Sequence, residues 1–310
     1  MADTRVAYVF PGQGSQAVGM GRDLFERSPA ACAVFEEADR ILNIPISKLC
    51  FEGPAEEVLK TVNVQPAVLT VSIACLRAAQ ESGGLPAPAF TAGHSLGEYT
   101  ALVAVKALSF SDGLKLVRER GRLMQAAGEQ NPGGMLALLG VELQAAEELC
   151  AHSGCYVANI NCPGQIVISG GSEAISKARE TAKTRNIKAV PLKVSGAFHS
   201  PLMEPALPGL QMALASVSLK DPVVPVISNV TAEPIVSASP IRDELLAQLN
   251  NRVQWQKSVE HMTSASVTTF LEIGPGEVLS GLIKRTSPAA RTHSLGDSQT
   301  IASTLAALHS

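Results

Sequence analysis

Several features that would point elsewhere are missing from this sequence. It has 25 Lys or Arg against 28 Asp or Glu, a formal net charge of −3. Without a basic excess, a general nucleic-acid or membrane-surface role lacks electrostatic support, though a local basic patch remains compatible with that balance. No apolar run approaches the roughly 18 residues that span a bilayer. The start, "MADTRVAYVF", has no basic stretch followed by a long apolar segment and reads as a first β-strand rather than a leader. The six cysteines (Cys32, Cys50, Cys75, Cys150, Cys155 and Cys162) form no C-x-x-C pair, which suits reduced thiols and a cytoplasmic location. His152 lies near Cys155, but no second ligand pair follows, so no metal site is expected. Repeats and low-complexity tracts are absent. What remains is an ordinary globular balance, 46% hydrophobic and 17% charged, in a chain of 310 residues. That length suits one large domain or two.

The order of elements suggests two. "RVAYVF" reads as a strand ended by "PGQG". Helical periodicity follows in "PAACAVFEEADRIL" (29–42) and "PAVLTVSIACLRAAQESG" (66–83). "AFTA" (89–92) is a short strand, "EYTALVAVKAL" (98–108) a buried helix and "SDGLKLVRERGRLMQAAG" (111–128) a helix capped by Ser111. The character then changes. "GGMLALLG", "ELQAAEELCAHSG", "CYVANI", "IVISG", "SEAISKARETAKTR" and "IKAVPLKV" spell β-α-β-β-α-β, the ferredoxin-like pattern. After residue 196 alternation resumes with a helix in "LMEPALPGLQMALASV", a strand in "PVVPVIS", a helix in "SPIRDELLAQL", a strand in "VTTFLEIG" and two final helices. The expected fold is α/β: a large domain, 1–127 and 197–310, with a mostly parallel sheet, interrupted by a ferredoxin-like domain, 128–196.

Chemistry concentrates in "TAGHSLGEYTAL" (91–102). A strand, then G-x-S-x-G, then a helix is the setting of a nucleophile elbow. The glycines leave room for a sharp turn. Ser95 then sits at a helix N-terminus, where free N–H groups can hold an oxyanion, the N–H of Leu96 first among them. The alternative is a tight turn with a capping serine. Ser95 needs a base, and the candidates are His94, His152, His199, His261, His293 and His309. His94 is too close in sequence to reach back well and reads as a structural neighbour. His199, in "VSGAFHSPLM", follows a predicted strand and starts a helix, which would put it at the C-terminal edge of a sheet. No convincing Asp or Glu lies between serine and histidine, since Asp112 and Glu173 look like helix-start residues. His199 therefore needs a neutral acceptor such as a carbonyl. Alone, it would read as a capping or buried histidine.

The helix 111–128 adds an arginine on the wrong face. Arg120 shares the apolar stripe of Leu116, Val117 and Met124, and a buried guanidinium requires an anion. That anion is either a protein carboxylate or a substrate carboxylate gripped by two parallel N–H bonds. Met124, one turn on, is read as a further substrate contact.

Taken together, "FPGQGSQ", "GHSLGEYTAL", "RGRLMQ", "GAFHSPLM", "QLNNRVQW" and "EIGPGEVLSGL" resemble, in order and spacing, the malonyl-CoA:acyl carrier protein transacylases, over about residues 5–285. The resemblance implies an α/β-hydrolase-like large domain and a ferredoxin-like small one. It implies Ser95 as nucleophile, His199 as base and the backbone N–H of Gln13 as the oxyanion donor beside Leu96. Arg120 would bind the malonyl carboxylate, and the main-chain carbonyl of Gln248 would orient the histidine. Phe198 just before His199 favours an unbranched extender. The reaction implied is ping-pong malonyl transfer from malonyl-CoA to the phosphopantetheine thiol of an acyl carrier protein, for fatty-acid synthesis, with no bound cofactor. Nothing requires more than a monomer.

The acceptor in such systems is acidic, and Lys183, Arg185, Lys188 and Lys193 form a local basic excess that could dock it; a solvated helix face is an equal reading. Other functions stay open at this point. A free-standing enzyme could serve a polyketide synthase. A hydrolase could use the same serine to clear carriers, although a required carboxylate would serve it little. A dinucleotide-binding reading of "GQGSQA" (12–17) lacks a helical stripe behind it. A non-catalytic scaffold would have no use for Ser95, His199 and Arg120 together.

Overall fold

Residues Val6–Phe10 (β1) are apolar and buried throughout, as expected of a parallel strand covered on both faces. The computed structural model describes residues 5–309; residues 1–4 and 310, at the ends of the expected large domain, lie outside the described residues. Around β1 the chain builds a six-stranded sheet. The other strands are Phe90–Gly93 (β2), Val226–Ile227 (β7), Pro234–Ile235 (β8), Thr269–Ile273 (β9) and Arg291–Leu295 (β10), in the order β10-β9-β1-β2-β7-β8. Every pair is parallel except β7 with β8. Alternate residues of β1 face opposite layers. Val6, Tyr8 and Phe10 join a core with Val68, Val71 and Leu116; Ala7 and Val9 join another with Trp255, Val259 and Ile283.

The second sheet comprises Gly133–Leu139 (β3), Tyr156–Cys162 (β4), Gln165–Gly171 (β5) and Lys188–Pro191 (β6), in the order β4-β5-β3-β6 and wholly antiparallel. Helices Leu143–Ser153 and Ser172–Thr184 pack on Leu136 and Leu138, while Met135 and Ala137 on the other face join the large core. The α/β fold expected from the element order, an α/β-hydrolase-like sheet plus a ferredoxin-like unit, is the fold observed. Backbone bonds join β4 of the second sheet to Val253, which follows the large-domain helix Ile241–Asn250. Ile160 donates to the carbonyl of Val253 (2.9 Å) and Val253 to that of Ala158 (2.8 Å).

Several local expectations change. The longest departure is Thr61–Ser82, a 22-residue helix that begins five residues earlier than its sequence pattern and contains Pro66. By length and composition alone it is apolar enough to cross a membrane, contrary to the reading that no run approaches that length. Neutral polar residues such as Gln65, Thr70 and Ser72 interrupt the apolar run without preventing burial, and 83% of its most apolar window is buried inside the protein. The cap at the next long helix is Ser109, whose Oγ accepts from Asp112 N (3.0 Å), not Ser111; that helix runs Phe110–Gln130.

The segment "LMEPALPGLQMALASV" splits into a 3₁₀ turn, Pro201–Ala206, and an α-helix, Leu207–Ala215. Its prolines lack the N–H that a continuous α-helix needs. Prolines likewise shorten β6 and β7. Edge strand β10, "RTHSL", escapes a hydrophobic pattern search because it is largely polar and incompletely buried.

Candidate active site

The site lies at the C-terminal ends of neighbouring strands β1 and β2, facing the second sheet. Between β2 and the helix Leu96–Ala104 the chain turns at Ser95, which adopts φ 52° and ψ −105°. This is a costly conformation for a residue with a side chain. Its neighbours leave no choice. A Cβ on Gly93 would overlap the carbonyl of Gly97, and one on Gly97 would overlap the carbonyl oxygen of Phe10. The elbow thus sits directly on the end of β1. Asn229, which follows β7, braces it: Ser95 N donates to Asn229 Oδ1 (2.7 Å), and Asn229 Nδ2 donates to Gly93 O (2.7 Å).

His199 reaches Ser95 from a different direction than its sequence context suggests. The preceding strand, β6, ends at Pro191 and belongs to the small sheet. Residues 192–198 cross back to the large sheet, with Gly196 packed on Gly128. The positive φ of His199, 55°, completes that return. His199 Nε2 lies 2.8 Å from Ser95 Oγ, and Nδ1 lies 2.8 Å from the main-chain oxygen of Gln248. A carbonyl only accepts, so Nδ1 carries the proton and Nε2 is left to accept from the serine. Burial, and then the charge of Arg120, push the His199 pKa down to about 3.

Arg120 is 1% exposed. Nη1 donates to Gln65 Oε1 (2.8 Å); Nη2 donates to Gln248 Oε1 (2.9 Å) and to Ser95 Oγ (3.2 Å). Its Cζ lies 5.2 Å from the centroid of Tyr99. Nε has no partner, and among the described residues no carboxylate pairs with the guanidinium. Burial lowers its pKa. A protein carboxylate, the alternative raised by the helix alone, is thus not what meets this cation.

Gln13, Leu96, Phe198 and Met124 line a cavity of about 80 Å³ with Ser95, His199 and Arg120. The backbone N–H groups of Gln13 and Leu96 have no internal acceptor among the described residues. Gln13, His94, Asn159 and Leu192 also line a second chamber of about 150 Å³, bounded by Gln165, Val278 and Leu282. The two chambers are neighbours, since these first four residues line both. Residues 12–17 form a loop with a turn at Gln13 and Gly14, and the first helix starts only at Arg22, so the glycines do not lead into a phosphate-binding helix. Of the six histidines, only His94 and His199 line the inner cavity. Lys183, Arg185, Lys188 and Lys193 are exposed, and the structure does not bring them to the serine. Lys193 comes nearest in sequence, between the cavity residues Leu192 and Val194. No group of three or more His, Cys, Asp or Glu that could hold a metal occurs among the described residues.

His94 is the structural neighbour its sequence position suggests, but the partners that brace the site are missing from the sequence expectations. His94 bonds Asn161 of β4 (2.9 Å), tying the elbow to the small sheet. Gln65 carries one arm of Arg120. Glu98, inside "GHSLGE", is fully buried and accepts from Gln248 Nε2 and from Asn229 N (3.2 Å). A buried polar residue on an apolar helix face was the available signal for Gln65 and Glu98; nothing local marked Asn229.

A serine bonded to a histidine at the end of a parallel strand, with two free N–H groups beside it, is the equipment of an acyl-transferring enzyme. The chain belongs to the acyl transferase domain family, which matches residues 7–305. It is 47% identical over 304 residues to the malonyl CoA-acyl carrier protein transacylase of Bacillus subtilis (strain 168), covering 96% of this chain and 95% of that protein. It superposes on the acyl-carrier-protein-S-malonyltransferase of Bartonella henselae with a TM-score of 0.94 at 40% identity, covering 99% and 100% of the two chains. A malonyl-transacylase solved in complex with a type II polyketide-synthase acyl-carrier protein matches with a TM-score of 0.94 at 40% identity, covering 98% and 99%.

Proposed function

We propose that this protein transfers a malonyl group from malonyl-CoA to the phosphopantetheine thiol of an acyl carrier protein, through a malonyl-Ser95 intermediate, for fatty-acid synthesis. The observation that carries the reading is Arg120. A buried guanidinium without a carboxylate partner among the described residues stands 3.2 Å from a serine hydroxyl that also bonds a histidine. An acyl group ending in a carboxylate supplies the missing anion while presenting its thioester to Ser95.

In the first half-reaction His199 Nε2 takes the proton of Ser95 as Oγ attacks the thioester carbonyl. The N–H groups of Gln13 and Leu96 hold the oxyanion, each such donor supplying about 3 kcal/mol. Collapse breaks the C–S bond, and the His199 proton leaves with coenzyme A as its thiol. In the second, His199 takes the proton of the carrier's phosphopantetheine thiol. The sulfur attacks the malonyl ester, and the proton returns to Ser95. Gln248 O holds His199 in its tautomer throughout. Phe198 and Met124 bound the acyl pocket, and the bulk of Phe198 suits an unbranched chain.

Residues 1–127 and 197–310 form the catalytic unit in this reading, and 128–196 the small unit that closes one side of the substrate path. Nothing in the reaction requires more than a monomer. The enzyme needs no bound cofactor, and its unpaired cysteines, all buried but the partly exposed Cys32, suit the cytoplasm. The carrier docks against the basic surface that includes Lys183, Arg185, Lys188 and Lys193. The likeness to a polyketide-synthase partner keeps a polyketide carrier as a second acceptor.

The test is intact mass after mixing with malonyl-CoA and no acceptor, beside acetyl-CoA and Ser95→Ala. A malonyl adduct on the unaltered protein alone is expected. Free coenzyme A accumulating without an adduct would mean a hydrolase and overturn the reading, as would the absence of both adduct and free coenzyme A.

A further inference from the structure

Beneath the elbow lies a group that the reaction itself does not use. Glu98 sits on the first turn of the helix that Ser95 opens and is fully buried. Its oxygens face N–H donors: Oε2 accepts from Gln248 Nε2 and Oε1 from Asn229 N. Gln248 Nε2 also donates to the main-chain oxygen of Ser95 (2.9 Å). Both neighbours of that nitrogen are therefore acceptors, and the amide can settle only one way. Its oxygen must point away from them, toward Arg120 Nη2, at 2.9 Å.

We propose that Glu98 is a positioning residue for acyl selectivity: by accepting from Gln248 it fixes that side-chain amide so that Oε1 holds the Arg120 guanidinium against Ser95. This rests on the malonyl reading of the site. The physical step is the chemistry of an amide. Its two ends are nearly the same size but opposite in hydrogen bonding, so only its surroundings decide which end faces a cation. Turned over, Gln248 would present N–H groups to the N–H groups of Arg120 and push the guanidinium off its mark.

Glu244 lies against Glu98 and holds the backbone N–H of Val230 (3.0 Å). Burial, with Glu244 second, raises the pKa of Glu98. Glu98 Oε2 faces Gln248 Nε2, while Glu244 Oε1 is taken up by the N–H of Val230. Gln248 thereby has two separable duties. Its main-chain oxygen holds His199, and its side chain, steered by Glu98, holds Arg120.

The experiment compares Glu98→Gln and Gln248→Met with the unaltered protein. The glutamine at 98 can offer N–H as well as oxygen to Gln248, which releases the amide from one orientation. The methionine removes the amide and keeps the main-chain carbonyl. For each, kcat/KM for loading Ser95 is measured with malonyl-CoA and with acetyl-CoA, beside the melting temperature. The malonyl-to-acetyl ratio should fall about tenfold or more in both variants, the loss expected when a hydrogen bond to a charged group is removed. The malonyl loss should appear chiefly in KM. Equal losses for the two acyl groups would assign Glu98 and the amide to scaffolding and overturn the proposal. Should Glu98→Gln not fold, Gln248→Met carries the same comparison. A failure of the malonyl reading is seen separately, because the unaltered protein would then form no malonyl adduct.

Discussion

Replacing Arg120 by methionine should uncouple stability from acyl choice. The guanidinium is 1% exposed, pairs with no carboxylate among the described residues and leaves Nε without a partner. Its burial therefore carries a desolvation penalty of several kcal/mol that attraction to a counter-charge does not offset. Methionine removes that penalty and fills most of the volume. Against this stands the loss of the bonds to Gln65 Oε1 and Gln248 Oε1, about 1–3 kcal/mol for each stranded acceptor. The terms nearly cancel, so stability should shift by no more than about 1–2 kcal/mol in either direction. Breaking a buried ion pair would instead cost about 3–5 kcal/mol.

Malonyl loading should respond quite differently. The substrate carboxylate would enter a buried pocket without its cation, a loss of about 2–5 kcal/mol. That is roughly 30-fold to several-thousand-fold in kcat/KM. Acetyl loading makes no such contact and should fall far less. The assay pairs denaturant unfolding with the rate of adduct formation from malonyl-CoA and acetyl-CoA. Equal losses for the two acyl groups, or a destabilisation of 3 kcal/mol or more, would refute the reasoning.

The same substitution should move the acid limb of acetyl loading to higher pH. Arg120 is the second cause, after burial, of the low His199 pKa, so removing its charge lets the imidazole protonate sooner; a limb that stays put would show that burial alone sets it. His199 should also make the fold acid-sensitive. Its folded pKa, about 3, lies below the unfolded value of 6.5, so unfolding takes up a proton between those limits. Relative to His199→Gln, the unaltered protein should lose about 1.4 kcal/mol of stability per pH unit as pH falls from 6 to 4, measured by urea unfolding; parallel profiles would contradict it. At Ser95, whose φ is 52°, glycine should be more stable than alanine by about 1–3 kcal/mol. Both variants lose the same hydroxyl, so identical melting temperatures would mean that the turn is unstrained.

How much of this was legible follows from where each constraint lives. The elbow was readable because its demands are local: glycines at 93 and 97 exist to prevent overlaps within a few residues and with the end of β1. Arg120 was readable because a helix fixes which side chains share a face. The small unit was readable because its strands and helices alternate cleanly. For His199 the sequence context points to the right residue but the wrong sheet, since no strand of the large sheet leads into it. Its position depends on a return crossing that only the packing of Gly196 on Gly128 reveals. Asn229 and Asn161 carried no local signal, because their partners lie 136 and 67 residues away. The length of the helix Thr61–Ser82 was hidden by polar residues whose burial depends on tertiary partners such as Arg120.

The missing acid then has a physical reason. Gln248 touches both His199, through its main-chain oxygen, and Arg120, through its side chain. Ser95 Oγ likewise lies within 3.2 Å of a nitrogen of each. The base and the cation are so close that a carboxylate placed to orient His199 would also lie beside the guanidinium. It would pair with Arg120, and a substrate carboxylate would have to displace it. A carbonyl orients the imidazole through one lone pair and brings no charge, so the cation stays unpaired until an anionic acyl group arrives. A neutral acceptor also leaves the imidazole without a counter-ion, and together with burial and Arg120 this keeps it unprotonated in the resting site. When a malonyl carboxylate neutralises Arg120, the largest cause of the low His199 pKa after burial is removed. The base should therefore strengthen as the correct substrate binds, and an acetyl group, lacking the carboxylate, would not have that effect.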